Sequence, residues 1–102
     1  MSDVRKVGFK KDILEGKSIC VEIENKAIAI FNIKGQFYAF ENECTHAGGP
    51  LSDGEIDGHV VTCPWHGATF DVTTGAALSA PAFDALKSFK VHTEGDEIRI
   101  EI

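Results

Sequence analysis

Two short cysteine and histidine pairs constrain the fold of this chain more than any other feature of its sequence. One residue separates Cys44 from His46, two separate Cys63 from His66, and sixteen lie between the pairs. Thiolates and imidazoles are common protein ligands for transition metals. All four side chains can bind one metal centre only if the fold brings two loops together, so we expect both loops at one end of a sheet.

Such a ligand set can hold a tetrahedral zinc ion, or an iron–sulfur cluster in which histidines replace two cysteines on one iron. Zinc fingers usually pair cysteine with cysteine, and histidine with histidine a few residues apart. Here each pair is mixed, and Cys44 and His46 are too close in sequence to reach one tetrahedral metal comfortably. The spacing favours a cluster with both cysteines on one iron and both histidines on the other, and zinc stays an alternative.

Size and charge exclude several classes of function. With 102 residues, 43% of them hydrophobic and 25% charged, the chain is expected to form one small globular domain. A net charge of −6 argues against nucleic acid, because phosphate binding needs a basic face. No apolar run approaches the roughly 18 residues that span a membrane. A third cysteine, Cys20, leaves an odd count, so we expect a soluble protein of the reducing cytoplasm.

Apolar periodicity predicts mainly β-structure. Val4–Phe9 is a candidate first strand, and Ser18–Ile23 alternates apolar and polar residues as a half-buried strand does. Ala27–Ile33 is apolar on both faces apart from its ends, which predicts a strand buried between two layers. After a Lys34-Gly35-Gln36 turn, Phe37–Phe40 returns as a third strand of a meander.

The second half of the chain is richer in turns. The segment 51–58 is predicted to be turn-rich, and His59–Thr62 is predicted to be a short strand that delivers Cys63. Gly67–Asp71 leads away from the second ligand pair. The chain ends with Lys87–Thr93, a turn at residues 94–96, and Glu97–Ile102, in which Ile98, Ile100 and Ile102 alternate with charged residues.

The ligand spacing resembles that of the Rieske family, whose pattern is Cys-x-His, a gap of about this size and Cys-x-x-His. Matching residues around the ligands are Gly48, Pro50, Leu51, Pro64, Trp65 and Gly67. The resemblance covers nearly the whole chain. It implies one [2Fe-2S] cluster bound by Cys44, His46, Cys63 and His66.

The resemblance also implies the fold. We expect an all-β, antiparallel β-sandwich (the Rieske fold), with residues 1–102 forming one domain. A small cluster-binding subdomain of loops and short strands, about residues 43–72, would be inserted in the β base domain. A proline-bearing loop, Ser79-Ala80-Pro81-Ala82, resembles the third loop that covers the cluster in this family.

Residues near the ligands predict a low reduction potential. Respiratory Rieske proteins carry a disulfide between their ligand loops, and the matching positions here are Gly49 and Trp65. They also carry a serine and a tyrosine whose hydroxyls donate to cluster sulfur, and those positions resemble Ala68 and Phe70. Loss of two donors removes stabilisation of the more negative reduced state. Trp65 is expected to serve as an apolar cover over the cluster.

The remaining cysteine and histidines are expected to lie outside the site. His59 and His92 have no partner at a ligand spacing, and alternation directs His92 into solvent. Cys20 is expected to be a core or half-buried strand residue with no redox role.

The sequence shows no nucleophile with a base, phosphate loop or mononuclear iron site, so we expect an electron carrier and not an enzyme. The resemblance implies a soluble, monomeric ferredoxin that passes electrons from a flavin reductase to a terminal oxygenase. Two alternatives stay open. One is a small subunit of a larger, nitrite-reductase-like complex, and the other is a zinc-stabilised structural module.

Overall fold

Three antiparallel sheets make up the computed structural model, which describes residues 4–42, 50–64, 67–79 and 86–101. The strands are β1 (Val4–Phe9), β2 (Ser18–Ile23), β3 (Lys26–Ile33), β4 (Gln36–Glu41), β5 (Glu55–Asp57), β6 (Val60–Thr62), β7 (Thr69–Asp71), β8 (Ser88–Phe89), β9 (Val91–Glu94) and β10 (Glu97–Glu101). Two 3₁₀ turns, Lys10–Asp12 and Leu51–Asp53, are the only helical elements in these ranges. None of this part of the chain forms a helix long and apolar enough to cross a membrane.

The middle sheet has the strand order β2-β3-β4-β8. All six residues from Ile28 to Ile33 of β3 are buried. Because successive side chains of a strand point to opposite faces, Ile28 and Ile30 enter one core while Phe31 and Ile33 enter the other. The prediction that this strand lies between two layers is confirmed.

One core fills the space between the middle sheet and an outer sheet of order β1-β10-β9. Its buried members are Ile13, Ile28, Ile30, Ala39, Ile98 and Ile100. The predicted alternation in β10 is confirmed, since Ile98 and Ile100 are fully buried and Arg99 between them is not.

A second core joins the opposite face of the middle sheet to a small sheet of order β5-β6-β7. It contains Ala29, Phe31, Ile33, Phe40, Leu51, Val61, Cys63, Ala68, Phe70, Val72 and Leu86. The ring centroids of Phe31 and Phe40 lie 6.2 Å apart in an edge-to-face arrangement. This core includes one predicted cluster ligand, Cys63.

The all-β, antiparallel fold class is confirmed, and three local expectations need correction. The turn-rich segment 51–58 also contains strand β5. The segment 87–93 divides at Lys90 into β8 of the middle sheet and β9 of the outer sheet. Cys20 is exposed because it lies on the outward face of β2, an edge strand. The predicted division at about residues 43–72 stays a prediction.

Candidate metal centre

The structure describes one of the four predicted ligands, Cys63. Cys44, His46 and His66 lie outside the described residues, as do Gly49, Trp65 and most of the proline-bearing loop. Within the described ranges, no three His, Cys, Asp or Glu side chains form a group that could hold a metal ion. The ligand set therefore stays a prediction. The structure shows Cys63 and the strands next to the other candidate ligands.

Cys63 follows strand β6 directly and begins the connection to β7. Its backbone N–H donates to the carbonyl oxygen of Ala68 at 2.7 Å, which extends the pairing of Thr62 with Thr69. The connection turns back at Gly67, whose φ of +73° is a left-handed conformation that favours glycine. Cys63 thus stands at the base of a hairpin connection that also contains the position of His66.

The surroundings of Cys63 are apolar. The residue is 1% exposed and belongs to the same core as Leu51, Val61, Ala68 and Phe70, each of them fully buried. An apolar shell limits water access and lowers the local dielectric constant around a metal centre. A buried thiol at the end of a strand, in a chain that offers two thiols and two imidazoles at this spacing, fits a histidine- and cysteine-ligated cluster.

Ala68 and Phe70 provide no hydroxyl group to this region. Both are fully buried, Ala68 at the end of the connection and Phe70 opposite Val61 in β7. A buried hydroxyl at either position would need a hydrogen-bond acceptor within the core.

The proline-bearing loop begins at a firm attachment to β7. The Ser79 hydroxyl accepts from the Thr69 backbone N–H at 3.1 Å and lies 2.7 Å from the Thr69 hydroxyl oxygen. The Leu78 N–H donates to the Thr69 carbonyl at 2.8 Å. The start of the third loop and the second ligand connection are therefore both joined to one strand.

Asn42 and Ser52 are two polar residues whose role the sequence patterns did not reveal. They flank the segment that carries Cys44 and His46, and the Asn42 side chain accepts from the Ser52 N–H at 2.7 Å. The sequence signal for this contact is an asparagine directly before a segment rich in glycine, because asparagine side chains often form hydrogen bonds with nearby backbone.

The other histidines each face a carboxylate. His59 Nδ1 lies 3.3 Å from an Asp71 oxygen, and His92 Nε2 lies 3.0 Å from a Glu101 oxygen. His92 is exposed, which confirms its predicted direction into solvent.

Asp71 organises the turn that follows β7. Its carboxylate accepts from the Thr73 hydroxyl at 2.6 Å and from the Thr73 N–H at 2.8 Å. The hydroxyl bond is the main cause that holds the Asp71 pKa below its ordinary value of 3.8, and the amide bond and His59 act in the same direction against the opposing effect of desolvation. The native state therefore favours the ionised form.

Replacing Asp71 with asparagine should lower the free energy of unfolding by up to about 1 kcal/mol at pH 6, because the amide oxygen still accepts the Thr73 bonds but carries no charge. The native pKa of Asp71 is depressed, so its stabilisation is fully present above the unfolded value of about 3.8 and is lost as the pH falls through the lower native value. Urea unfolding of both proteins from pH 6 to pH 3 should show that the difference between their free energies of unfolding becomes smaller below pH 4. A constant difference would contradict this explanation.

Known proteins resemble this chain over most of its length. A family model described as the Rieske [2Fe-2S] domain matches residues 3–90. The ferredoxin component of the naphthalene 1,2-dioxygenase system of Pseudomonas putida is 40% identical over 91 residues, 89% of this chain and 88% of that protein. The 3-phenylpropionate/cinnamic acid dioxygenase ferredoxin subunit of Shigella flexneri serotype 5b is 39% identical over 92 residues, 89% and 86% of the two chains.

Solved structures agree with these relatives. The Sphingomonas yanoikuyae B1 ferredoxin has a TM-score of 0.92 and 31% identity, with 98% of this chain and 99% of that chain covered. A chain from a complex of reduced oxygenase and oxidized ferredoxin in carbazole 1,9a-dioxygenase has a TM-score of 0.91 and 35% identity, with 95% and 91% covered. The resemblance read from the ligand spacing is confirmed, and with it the [2Fe-2S] cofactor. The chain belongs to the Rieske [2Fe-2S] domain family.

Proposed function

We propose that this protein is the electron carrier of an oxygenase system, receiving electrons from a flavin reductase and delivering them to a terminal oxygenase. One observation carries the proposal. Relatives at 40% and 39% identity, aligned over nearly nine-tenths of both chains, are ferredoxins of dioxygenase systems. Similarity over that length extends far beyond the four ligand positions.

In this proposal, Cys44 and Cys63 bind one iron and His46 and His66 bind the other. When bound, a [2Fe-2S] cluster supplies reversible one-electron transfer. The chain's own contribution is to place Cys63 at the end of β6 and to surround it with an apolar core that limits water access. Residues 43–72 form the proposed cluster-binding part of a single domain of residues 1–102. The small sheet of β5, β6 and β7 falls within that part.

The proposed partner, a terminal oxygenase, is suggested by what is known of similar ferredoxins. A solved complex of oxygenase and ferredoxin in carbazole 1,9a-dioxygenase is a precedent for direct contact with a terminal oxygenase. We further propose that the protein acts as a diffusing monomer in the cytoplasm. A reducing compartment suits it because Cys20 presents an exposed thiol outside any disulfide.

The test is electron transfer with purified components. The protein should be red-brown, show the EPR signal of a Rieske cluster on reduction, accept one electron per chain from a flavin reductase with NADH, and pass it to an oxidised terminal oxygenase. Purification at a fixed ratio with other subunits would favour the nitrite-reductase-like alternative. A colourless protein with bound zinc would overturn the proposal.

A further inference from the structure

We propose that Asn42 is a positioning residue for the first ligand segment, residues 43–49, because it fastens the two ends of that segment to each other. This inference rests on the proposed role of Cys44 and His46 as ligands. Asn42 is only 8% exposed, one of two buried polar residues in the described part of the chain.

The backbone of Asn42 is fixed on the middle sheet. Its N–H donates to the Ala27 carbonyl at 2.8 Å, and the N–H of Glu41 donates to the Lys87 carbonyl at 2.9 Å. Asn42 therefore directly follows the hydrogen-bonded end of β4, and the ligand segment begins at the next residue. Only two virtual Cα bonds join Asn42 to Cys44, which limits the distance between their Cα atoms to about 7 Å.

The side chain of Asn42 reaches the other end of the segment. Its Oδ1 accepts from the Ser52 N–H at 2.7 Å, and its Nδ2 donates to Ser52 Oγ at 3.0 Å and to Cys20 Sγ at 3.1 Å. The amide orientation is determined chemically, because a backbone N–H can only donate and so must face Oδ1. Both hydrogens of Nδ2 are then used.

Ser52 is itself held on two sides. Its carbonyl accepts from the Ser18 hydroxyl at 3.1 Å, and its neighbour Leu51 is fully buried in the core that contains Cys63. The Asn42–Ser52 contact thus joins the end of β4 to a turn packed against the second ligand connection. The two residues in contact, Asn42 and Ser52, are separated by nine residues in the sequence.

Replacing Asn42 with alanine should speed iron release to a chelator about tenfold, the factor expected when a buried donor or acceptor loses about one net hydrogen bond. The Rieske EPR line shape and the visible circular dichroism should change as well, because the ligand segment is held less firmly. Asn42→Asp should give an intermediate rate, since its carboxylate still accepts the Ser52 N–H. In Asn42→Ala, hydrogen exchange at the Ser52 amide should also accelerate, whether or not the cluster is bound.

Asn32→Ala is the matched control. Asn32 is 7% exposed, donates to the Ile13 carbonyl at 2.7 Å and accepts from the Gly35 N–H at 2.9 Å, but it lies at the opposite end of the β3–β4 hairpin. It should lower the unfolding temperature while leaving the spectra and the iron-release rate unchanged. Equal spectra and equal release rates in Asn42→Ala and Asn32→Ala would overturn the positioning role. A wild-type protein without a cluster would instead refute the proposed function, and Ser52 exchange would still report on the Asn42 contact.

Discussion

Replacing Cys63 with alanine is expected to remove the cluster, lowering the iron content from two atoms per chain to nearly none. The thiol is 1% exposed in an apolar core, where water cannot readily take its place as a ligand. The loss should be seen as the disappearance of visible absorption and of the EPR signal in the reduced protein. Cys20→Ser is the matched control because Cys20 is exposed, and a serine hydroxyl can still accept the Asn42 N–H.

The proposed histidine ligands allow a parallel test. His66→Ala should likewise prevent assembly of the Rieske centre, whereas His92→Ala should leave it intact because His92 is an exposed residue paired with Glu101. Full iron content and an unchanged EPR spectrum in Cys63→Ala or His66→Ala would exclude that residue from the ligand set. Loss of iron in the two controls would show that the effect is not specific to the ligands.

The sequence predicted the central architecture because burial on both faces of β3 leaves a clear pattern. A run between turn residues that is apolar on both faces except near its end indicates two covering layers, and the structure provides them on either side of Ile28–Ile33. The alternation of isoleucine with charged residues in β10 likewise indicates a strand with one buried face. Long strands with consistent patterning are therefore the part of this fold that local sequence determines.

Of the small sheet, only β6 was predicted, as the strand His59–Thr62, because these strands have three residues each and depend on tertiary contacts. Gly54 illustrates this. Its φ of −74° suits any residue, but a Cβ there would lie 2.3 Å from the Thr62 carbonyl oxygen. The glycine is needed for close approach of β5 to β6, a requirement that sequence patterning does not reveal.

The candidate ligands were predicted from their spacing, whereas the polar side chains next to their segments were not. Asn42 reads in the sequence as an ordinary loop residue, because its contacts with Ser52 and Cys20 connect positions 10 and 22 residues away. Alternation along β2 likewise gave no information on the contact between the exposed Cys20 and Asn42. Candidate metal ligands can be recognised from their spacing in the sequence, whereas the residues that position them depend on tertiary contacts.

The midpoint potential is expected to lie below about +100 mV, in the lower part of the range of about −150 to +300 mV for Rieske centres. Neither Ala68 nor Phe70 can donate a hydrogen bond from its side chain, and positions 49 and 65 are glycine and tryptophan, which cannot form the disulfide found between the ligand loops of respiratory Rieske proteins. Fewer donors near the cluster sulfur atoms leave the reduced, more negative state less stabilised. A measured midpoint above about +100 mV would contradict this expectation.

Ala68→Ser should raise the midpoint by roughly 65–130 mV, which corresponds to one hydrogen bond to a charged group in a one-electron couple, and Phe70→Tyr should raise it further. Both positions are fully buried, so a new hydroxyl must find its acceptor inside the core. Ala39→Ser is the control, since Ala39 is equally buried but belongs to the core on the opposite face of the middle sheet. Potentiometric titration should show a shift for the first two variants and none for the control. Equal midpoints in Ala68→Ser and Ala39→Ser would mean that position 68 does not face the cluster sulfur atoms.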